Sequence, residues 1–510
     1  MSNKFARFLA TAALLTLAAC GGQRGSGQAA TAPAAPVAPA DPSWDPVLGD
    51  PAHPPDWLRL RGVCQQPRTG LAPNGAPYDD KQGTLADEQR WLSSMIDASY
   101  LWYREIPSGL RMADYATPIA WFNVLKTPLV TASGRPKDRF HFTYPTEAWN
   151  AMSSNGVELG YGLTWQRNAD PSQPRTWLVT VVEPASPAEL AGIRRGDRLL
   201  AVDGAAIADS ADSAVAARLN AGLFPARAGE THRLQLARDG VVWEASLVAA
   251  RLAILPVRGA QVIDTAAGKV GYLLFKQHNG VAEAALARAI GDFKAAGIDE
   301  LVLDMRYNGG GLLSVASELA YMIAGPDATA GKVFERSVHS DKVKPQPPLG
   351  FLAQANGYPA PQPLKPGSAL PYLGLKRVTV LTTAGTCSAS ESVINSLRGV
   401  DIDVTLIGDP TCGKPYAFLP LENCGTTYFS IQFQGVNDKG FGDYADGFQP
   451  TCQASDDLTH ALGDPSEGLL AAALAYRVSG FCPAQRGNPY GAMQLVRSPV
   501  EELSINAGGR

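Results

Sequence analysis

Between residues 270 and 407 short β-branched runs alternate with segments of helical period, and that alternation restricts the chain to few architectures. Strand-like runs fall at Val270–Phe275, Leu301–Met305, Val378–Thr382 and Val404–Ile407, separated by helical patterns at Val281–Ala296, Leu313–Ile323 and Ala389–Leu397. Each helix has the length of a crossover, so the strands are expected to run parallel in one sheet with helices packed on it. The Pro-rich stretch from Asp341 to Pro371 reads as a surface excursion from this core, which is expected to span residues 257–482.

The chemistry concentrates where strands end. Ser388 stands between the run Arg377–Thr383 and a helical stripe of Val393, Ile394 and Leu397. With Glu391 three residues on, it forms a capping box, which needs no catalysis to explain it. The two readings are compatible, because a serine at a helix start lies beside unpaired N–H groups that would stabilise an oxyanion. Upstream, the buried run Glu300–Met305 leads into Asn308-Gly309-Gly310-Gly311, whose glycines let the backbone approach a ligand, or simply make a flexible turn. Lys414 follows the next strand-like run, among the uncharged Cys412, Gly413, Pro415, Tyr416 and Phe418. A lysine is a general base only when neutral, which requires its pKa to fall from about 10.4 to near 7, a shift that an apolar pocket supplies.

Asp304 to Leu312, Ser388-Ala389-Ser390-Glu391 and Gly413-Lys414 together resemble the C-terminal processing, or tail-specific, peptidases. The resemblance implies a serine endopeptidase with Ser388 as nucleophile, Lys414 as base and an oxyanion hole from the N–H groups of Ala389 and Gly310. Lys137-Asp138-Arg139-Phe140 is similar to another landmark of that family. One position departs: the glutamine that many members carry four residues after the lysine is Phe418 here. A second resemblance lies upstream. Tyr161-Gly162-Leu163-Thr164-Trp165 is similar to the carboxylate-binding loop of a PDZ domain, and Pro184 to Gly204 carries a PDZ-like string ending in an Asp-Gly turn. A PDZ-like domain over 156–252 implies recognition of substrate C-termini by strand addition to a sheet edge, with Tyr161, Gly162, Leu163 and Thr164 at the peptide and Asp209 to Leu219 as the flanking helix. The same domain could serve only as a lid or spacer.

The remaining segments indicate export. Lys4 and Arg7 precede the apolar stretch Phe8 to Ala19, the pattern of a signal peptide, and Leu17-Ala18-Ala19-Cys20-Gly21 resembles a lipobox. Residues 1–20 are thus expected to be removed or modified, with Cys20 lipidated and the protein held in a bacterial envelope, at the outer membrane facing the periplasm. Residues 21–82, rich in Gly, Ala and Pro in their first part, are expected to be a flexible tether. A small helical domain follows at 83–150, with Trp91, Met95, Ile96 and Tyr100 at helical spacing, and residues 483–510 form a C-terminal tail. The whole is an α/β multidomain chain of 510 residues, long enough for about three domains.

A formal net charge of −4 offers no basic footprint, which excludes nucleic acid as a partner and leaves polypeptides and a lipid anchor. No cofactor or metal is expected, since no paired Cys-x-x-Cys or His-x-x-x-His spacing occurs. Beyond Cys20, the even set Cys64, Cys387, Cys412, Cys424, Cys452 and Cys482 suggests disulfides in an oxidising compartment. Cys412 with Cys424 is the expected pair, because it would clamp the loop carrying Lys414; Cys452 with Cys482 is a second. Three other readings compete. Cys387 could be a thiolate nucleophile, His460 with Asp456 or Asp457 could complete a conventional triad, or the chain could be a catalytically silent peptide-binding scaffold.

Overall fold

Strands Gly268–Phe275 and Glu300–Asp304 are buried at nearly every position, and a strand buried on both faces must lie inside a covered sheet. The computed structural model describes residues 55–72, 75–168, 170, 172–484 and 493–496. In it these two strands sit within a six-stranded sheet ordered Val257–Thr265, Gly268–Phe275, Glu300–Asp304, Arg377–Thr382, Asp403–Gly408 and Cys452–Gln453. The first pair is antiparallel and every later pairing is parallel. Side chains alternate along each strand, so Leu273, Leu303 and Val380 face helices Ala282–Ala296, Leu313–Ala324 and Ala389–Gly399, burying Ile290, Leu319 and Val393. Tyr272, Val302, Leu381 and Ile407 face helix Gly468–Ser479 through Leu469 and Leu470. The parallel crossovers expected from the alternation are all present. The Pro-rich excursion is pinned to the helices: the N–H groups of Gly357 and Tyr358 donate to the Glu283 carboxylate, and Asn356 donates to Glu318.

A second sheet of seven strands is antiparallel throughout. Its path runs Val241–Val248, Thr231–Arg238, Arg198–Val202, Trp177–Val182, Leu163–Asn168 and Met493–Val496, with Ala205–Ala206 beside Arg198–Val202. The flanking helix is Ser213–Leu223, begun four residues later than expected because the Asp212 side chain accepts the N–H groups of Ala214 and Val215. Its Ala216 and Leu219 share a core with Trp165, Val179 and Leu236. Within the expected C-terminal tail, Met493–Val496 is the edge strand of this sheet.

The N-terminal part is organised differently from the expected separate domain. Helix Leu85–Ser99 is opened by a capping box between Thr84 and Asp87, and its buried stripe is Trp91, Leu92, Met95 and Ile96. Those side chains share their core with Trp121 and Phe122 and with Tyr416, Tyr428 and Ile431, which lie in the long connection between strands Asp403–Gly408 and Cys452–Gln453. Strand Phe142–Pro145 pairs antiparallel with Thr426–Phe429, and Cys64 is bonded to Cys424. Segment 83–150 thus has no core of its own. The expected tether is also shorter: residues 56–59 form a helix, 63–64 pair with 81–82, and Leu60 is buried in the same core. Apolar Trp57, Leu60 and Val63 end the Ala/Pro-rich composition there. Cys20 and the expected signal sequence lie outside the described residues; no helix among the described residues is long and apolar enough to cross a membrane.

The Cys64–Cys424 bridge joins segments 360 residues apart. Replacing both cysteines by serine is expected to lower stability by about 2–4 kcal/mol and to open residues 85–122 to limited proteolysis before the central sheet. Urea unfolding and mapping of the first protease cuts check both.

Candidate active site

Ser388 sits at a sharp turn between strand Arg377–Thr382 and helix Ala389–Gly399, with φ 57° and ψ −120°. That conformation costs a non-glycine residue about 1–3 kcal/mol, and it persists only where surrounding bonds over-determine it. They do. Cys387 N–H donates to Asn308 O at 3.0 Å, Thr386 Oγ1 to Met305 O at 2.9 Å, and Ser390 Oγ to Asn308 O at 3.0 Å. The glycine loop is therefore stitched to the turn that presents Ser388.

Gly310 shows how close the two loops are. It adopts φ +99°, and a methyl carbon there would lie 2.8 Å from Ser388 Cβ and 2.9 Å from Ala389 N. No other residue fits both the backbone and the space. Its N–H, expected to face an oxyanion, donates instead to Asn308 Oδ1 at 2.9 Å. Asn308 is fixed in turn by its amide donating to Phe275 O and by His278 Nδ1 at 3.1 Å. Burial pushes the His278 imidazole down to about 3, so it is neutral and donates to Asn308 Oδ1.

Glu391 joins this turn to the lysine loop. Its carboxylate is fully buried and accepts Ser388 N–H at 3.0 Å, Lys414 N–H at 2.8 Å, Gly413 N–H at 2.8 Å and Thr411 Oγ1–H at 2.6 Å. Ser388 and Lys414 donate to the same oxygen, so their amide nitrogens are no more than about 6 Å apart. Burial pushes the Glu391 carboxyl up, and these donors to the ionised form pull against it. The capping box read from the sequence is half of this arrangement; the other half reaches 23 residues along the chain.

Lys414 is 8 % exposed. Its Nζ lies 3.8 Å from the centre of the Phe418 ring and 5.2 Å from that of Phe140. The loop around it is held by Arg139, whose Nη2 donates to Cys412 O at 2.6 Å, Gly413 O at 3.0 Å and Ala445 O at 3.1 Å. Arg139 was visible in the sequence only as part of a landmark string. Its role needed the fold, because it acts across 273 residues.

Several expectations are corrected. Cys412 is bonded to Cys387, next to Ser388, and Cys424 to Cys64, so the expected Cys412–Cys424 bridge does not form. The lysine loop lies against the serine turn, also through Cys412 N–H donating to Thr386 O, while Cys424 sits in the hairpin that packs on the N-terminal segment. The Cys452–Cys482 bridge is present. Cys387 carries no free thiol and is not a nucleophile in this state. His460 Nδ1 pairs with Asp457 at 2.6 Å, its carbonyl accepts from Arg195, and Asp456 is committed to Arg195, Arg306 and Tyr307. Asp456 is thus used in structural contacts; Asp457 does pair with His460, but His460 bonds only Asp457, Thr459 and Arg195 among the described residues and makes no hydrogen bond to Ser388. Among the peptide-loop residues, Tyr161 is buried, with its hydroxyl donating to Gly222 O, and Gly162 is packed so closely on Ser186 that a Cβ would meet it at 2.3 Å. Leu163 and Thr164 begin the strand that carries the sheet edge.

Comparison with known proteins follows the same division. Peptidase family S41 matches residues 269–428, and the PDZ domain family matches residues 178–220. A carboxyl-terminal-processing protease of Synechocystis sp. is 27% identical over 266 residues, 52% of this chain and 54% of the relative. A protein of the same name from Picosynechococcus sp. is 30% identical over 172 residues, 33% of this chain and 39% of the relative. The chain spans about half the length, or less, of these curated relatives. A crystal structure from Bacteroides fragilis assigned to the S41 proteases superposes with a TM-score of 0.56 at 27% identity, covering 76% of this chain and 97% of that one.

Two stability measurements test the site's construction. Glu391→Ala strands four donors in the interior and is expected to cost about 3 kcal/mol or more in urea unfolding, with Glu391→Gln recovering part of it. His278 titrates near 6.5 when unfolded but stays neutral when folded, so protons favour the unfolded chain as pH falls below that value. Between pH 6.5 and 4 it removes about 1.4 kcal/mol per pH unit, and His278→Gln is expected to flatten that part of the stability profile.

Proposed function

The chain belongs to the C-terminal processing peptidases of family S41 and carries a PDZ domain, and from that premise we propose that it cleaves peptide bonds of exported proteins with a Ser388/Lys414 dyad. The observation that carries the reading is Glu391: one buried carboxylate fixes the backbone of both residues, which is what a two-residue catalytic unit requires.

In this reaction Ser388 Oγ attacks the scissile carbonyl carbon while Lys414 Nζ, neutral beforehand, takes the hydroxyl proton. The tetrahedral oxyanion is stabilised by Ala389 N–H at the start of helix Ala389–Gly399, where the helix dipole adds to it. Gly310 N–H contributes by exchanging Asn308 Oδ1 for the oxyanion, a move of one hydrogen bond within a loop already in contact with Ala389 N. The intermediate collapses to an acyl-enzyme as Lys414 returns the proton to the leaving amine, and a water, deprotonated by Lys414, releases the acid. The PDZ domain selects substrates by their C-termini, adding them as a strand beside Leu163–Asn168.

Lipid attachment at Cys20, with the enzyme at the outer membrane facing the periplasm, completes the reading. It is supported by the lipobox-like Leu17–Cys20 and by three disulfides, which persist in oxidising compartments.

Digestion of unstructured peptides with apolar C-termini tests the dyad. Ser388→Ala, Lys414→Ala and Lys414→Arg are each expected to lose at least 1,000-fold in kcat/KM, roughly the value of a nucleophile or general base, while His460→Ala retains activity. Arginine keeps the charge but cannot accept the proton. Undiminished cleavage by Ser388→Ala would sink the proposal in favour of a silent scaffold. For the anchor, Cys20→Ser is expected to leave the membrane fraction; its persistence there after a salt wash would contradict lipidation.

A further inference from the structure

The edge of the PDZ sheet that a peptide would join is already taken by the chain itself. Strand Met493–Val496 pairs antiparallel with Leu163–Asn168, with Met493 opposite Asn168 and Val496 opposite Trp165. The strand therefore runs toward the Tyr161-Gly162-Leu163 loop, the direction in which an added peptide would present its C-terminus. Its residues alternate as a bound strand's would. Val496 is buried in the domain core with Trp165 and Leu219 of the flanking helix, Gln494 is exposed, and Leu495 turns the other way.

Leu495 reaches the catalytic core. A methyl carbon on Gly385 would lie 3.2 Å from Leu495 Cδ2, and Gly385 is in the turn three residues before Ser388. The same four residues thus fill the recognition edge with one face and touch the nucleophile's turn with the other. We propose that Met493–Val496 is a built-in competitor: an internal peptide ligand that occupies the substrate edge of the PDZ domain and must leave before a substrate C-terminus can bind. This rests on the reading of that edge as the substrate-recognition site.

The competitor is displaceable for a chemical reason. Val496 is followed by Arg497, so its carbonyl is an amide and brings no negative charge to the loop. A substrate ending there in a free carboxylate adds charge-assisted bonds that the internal strand cannot make. Binding is then selective for true C-termini over internal apolar segments, because only the former outcompete the resident strand.

The test uses the full chain carrying Ser388→Ala, so that binding is read without cleavage, and compares it with the same protein ending at Ala484. A labelled ten-residue peptide ending in Leu-Val with a free carboxylate is the probe. Removal of the segment is expected to tighten its binding at least tenfold. Leu495→Asp with Val496→Asp in the full-length chain is expected to do the same if the truncated form folds poorly. An unlabelled peptide of residues 490–497 added in trans is expected to weaken binding to the truncated form again. Hydrogen exchange at the outward amides of Leu163–Asn168 provides an independent readout, and these are expected to lose protection on truncation. Equal peptide affinity in full-length, substituted and truncated proteins, or unchanged protection of those amides, would overturn the proposal. Faster exchange on truncation with no peptide binding to either form would instead overturn the recognition reading, and with it the competition, while leaving the dyad untouched.

Discussion

A single buried carboxylate determines the geometry of this molecule's centre. Glu391 begins as a local feature, the third residue of a helix accepting the N–H of the residue that caps it. Its remaining capacity goes to Thr411, Gly413 and Lys414, so the start of one crossover helix and the loop after the next strand cannot move independently. The Cys387–Cys412 bridge repeats the link covalently, one residue from Ser388 and two from Lys414. Burying a carboxylate without donors would cost several kcal/mol, and the four donors both offset that and set the distance between the loops.

A second buried network supports the other side of the turn. Arg306 is fully buried and bonds Asp304, Asp456 and Glu467, while Arg195 from the PDZ domain donates to Asp456 and to the hydroxyl of Tyr307. Burial opposes ionisation of Asp456, but the Coulombic pull of Arg195 and Arg306 wins and holds its carboxyl below the usual range. Such networks add little net stability, since desolvation consumes much of the attraction, but they penalise every misplaced arrangement of their members. Here the members are the PDZ domain, the strand entering the glycine loop and helix Gly468–Ser479, so the network fixes where the PDZ sheet stands relative to Asn308 and Gly310.

What could be read from the sequence was what is local. The parallel crossovers follow from apolar periodicity, and the serine, glycine and lysine elements follow from strings of a few residues, because strand-to-helix turns impose their residue types locally. Cysteine pairing did not follow, since Cys412 is nearer in sequence to Cys424 than to Cys387 but is held against the serine turn by hydrogen bonds no local pattern encodes. Arg139 was out of reach for the same reason. The strand Met493–Val496 is four residues long, too short for alternation to distinguish it from a loop, and it is a strand only because an edge is there to receive it. The helical segment at 83–150 was legible as helix but not as half of a core, because the amphipathic stripe on Leu85–Ser99 says that it is covered and not by what.

That last point explains how the site accommodates Phe418, where the family resemblance leads to an expected glutamine. The Phe418 ring is wedged between Phe142, at 5.7 Å, and Phe429, at 5.1 Å, on the paired strands that join the N-terminal segment to the core. Phe140, from the same segment, supplies a second ring beside Lys414 Nζ, and the neighbouring Arg139 holds the lysine loop by its carbonyls. Aromatic faces orient an amine by shape and by their electron density. Positioning by rings is only as firm as the packing behind them, which is why the segment that carries Arg139, Phe140 and Phe142 is anchored so heavily: its helix is buried against Tyr416 and Tyr428, its strand is paired with Thr426–Phe429, and its preceding loop is bonded through Cys64 to Cys424. Residues that sequence order would place in a separate domain form one wall of the lysine's pocket.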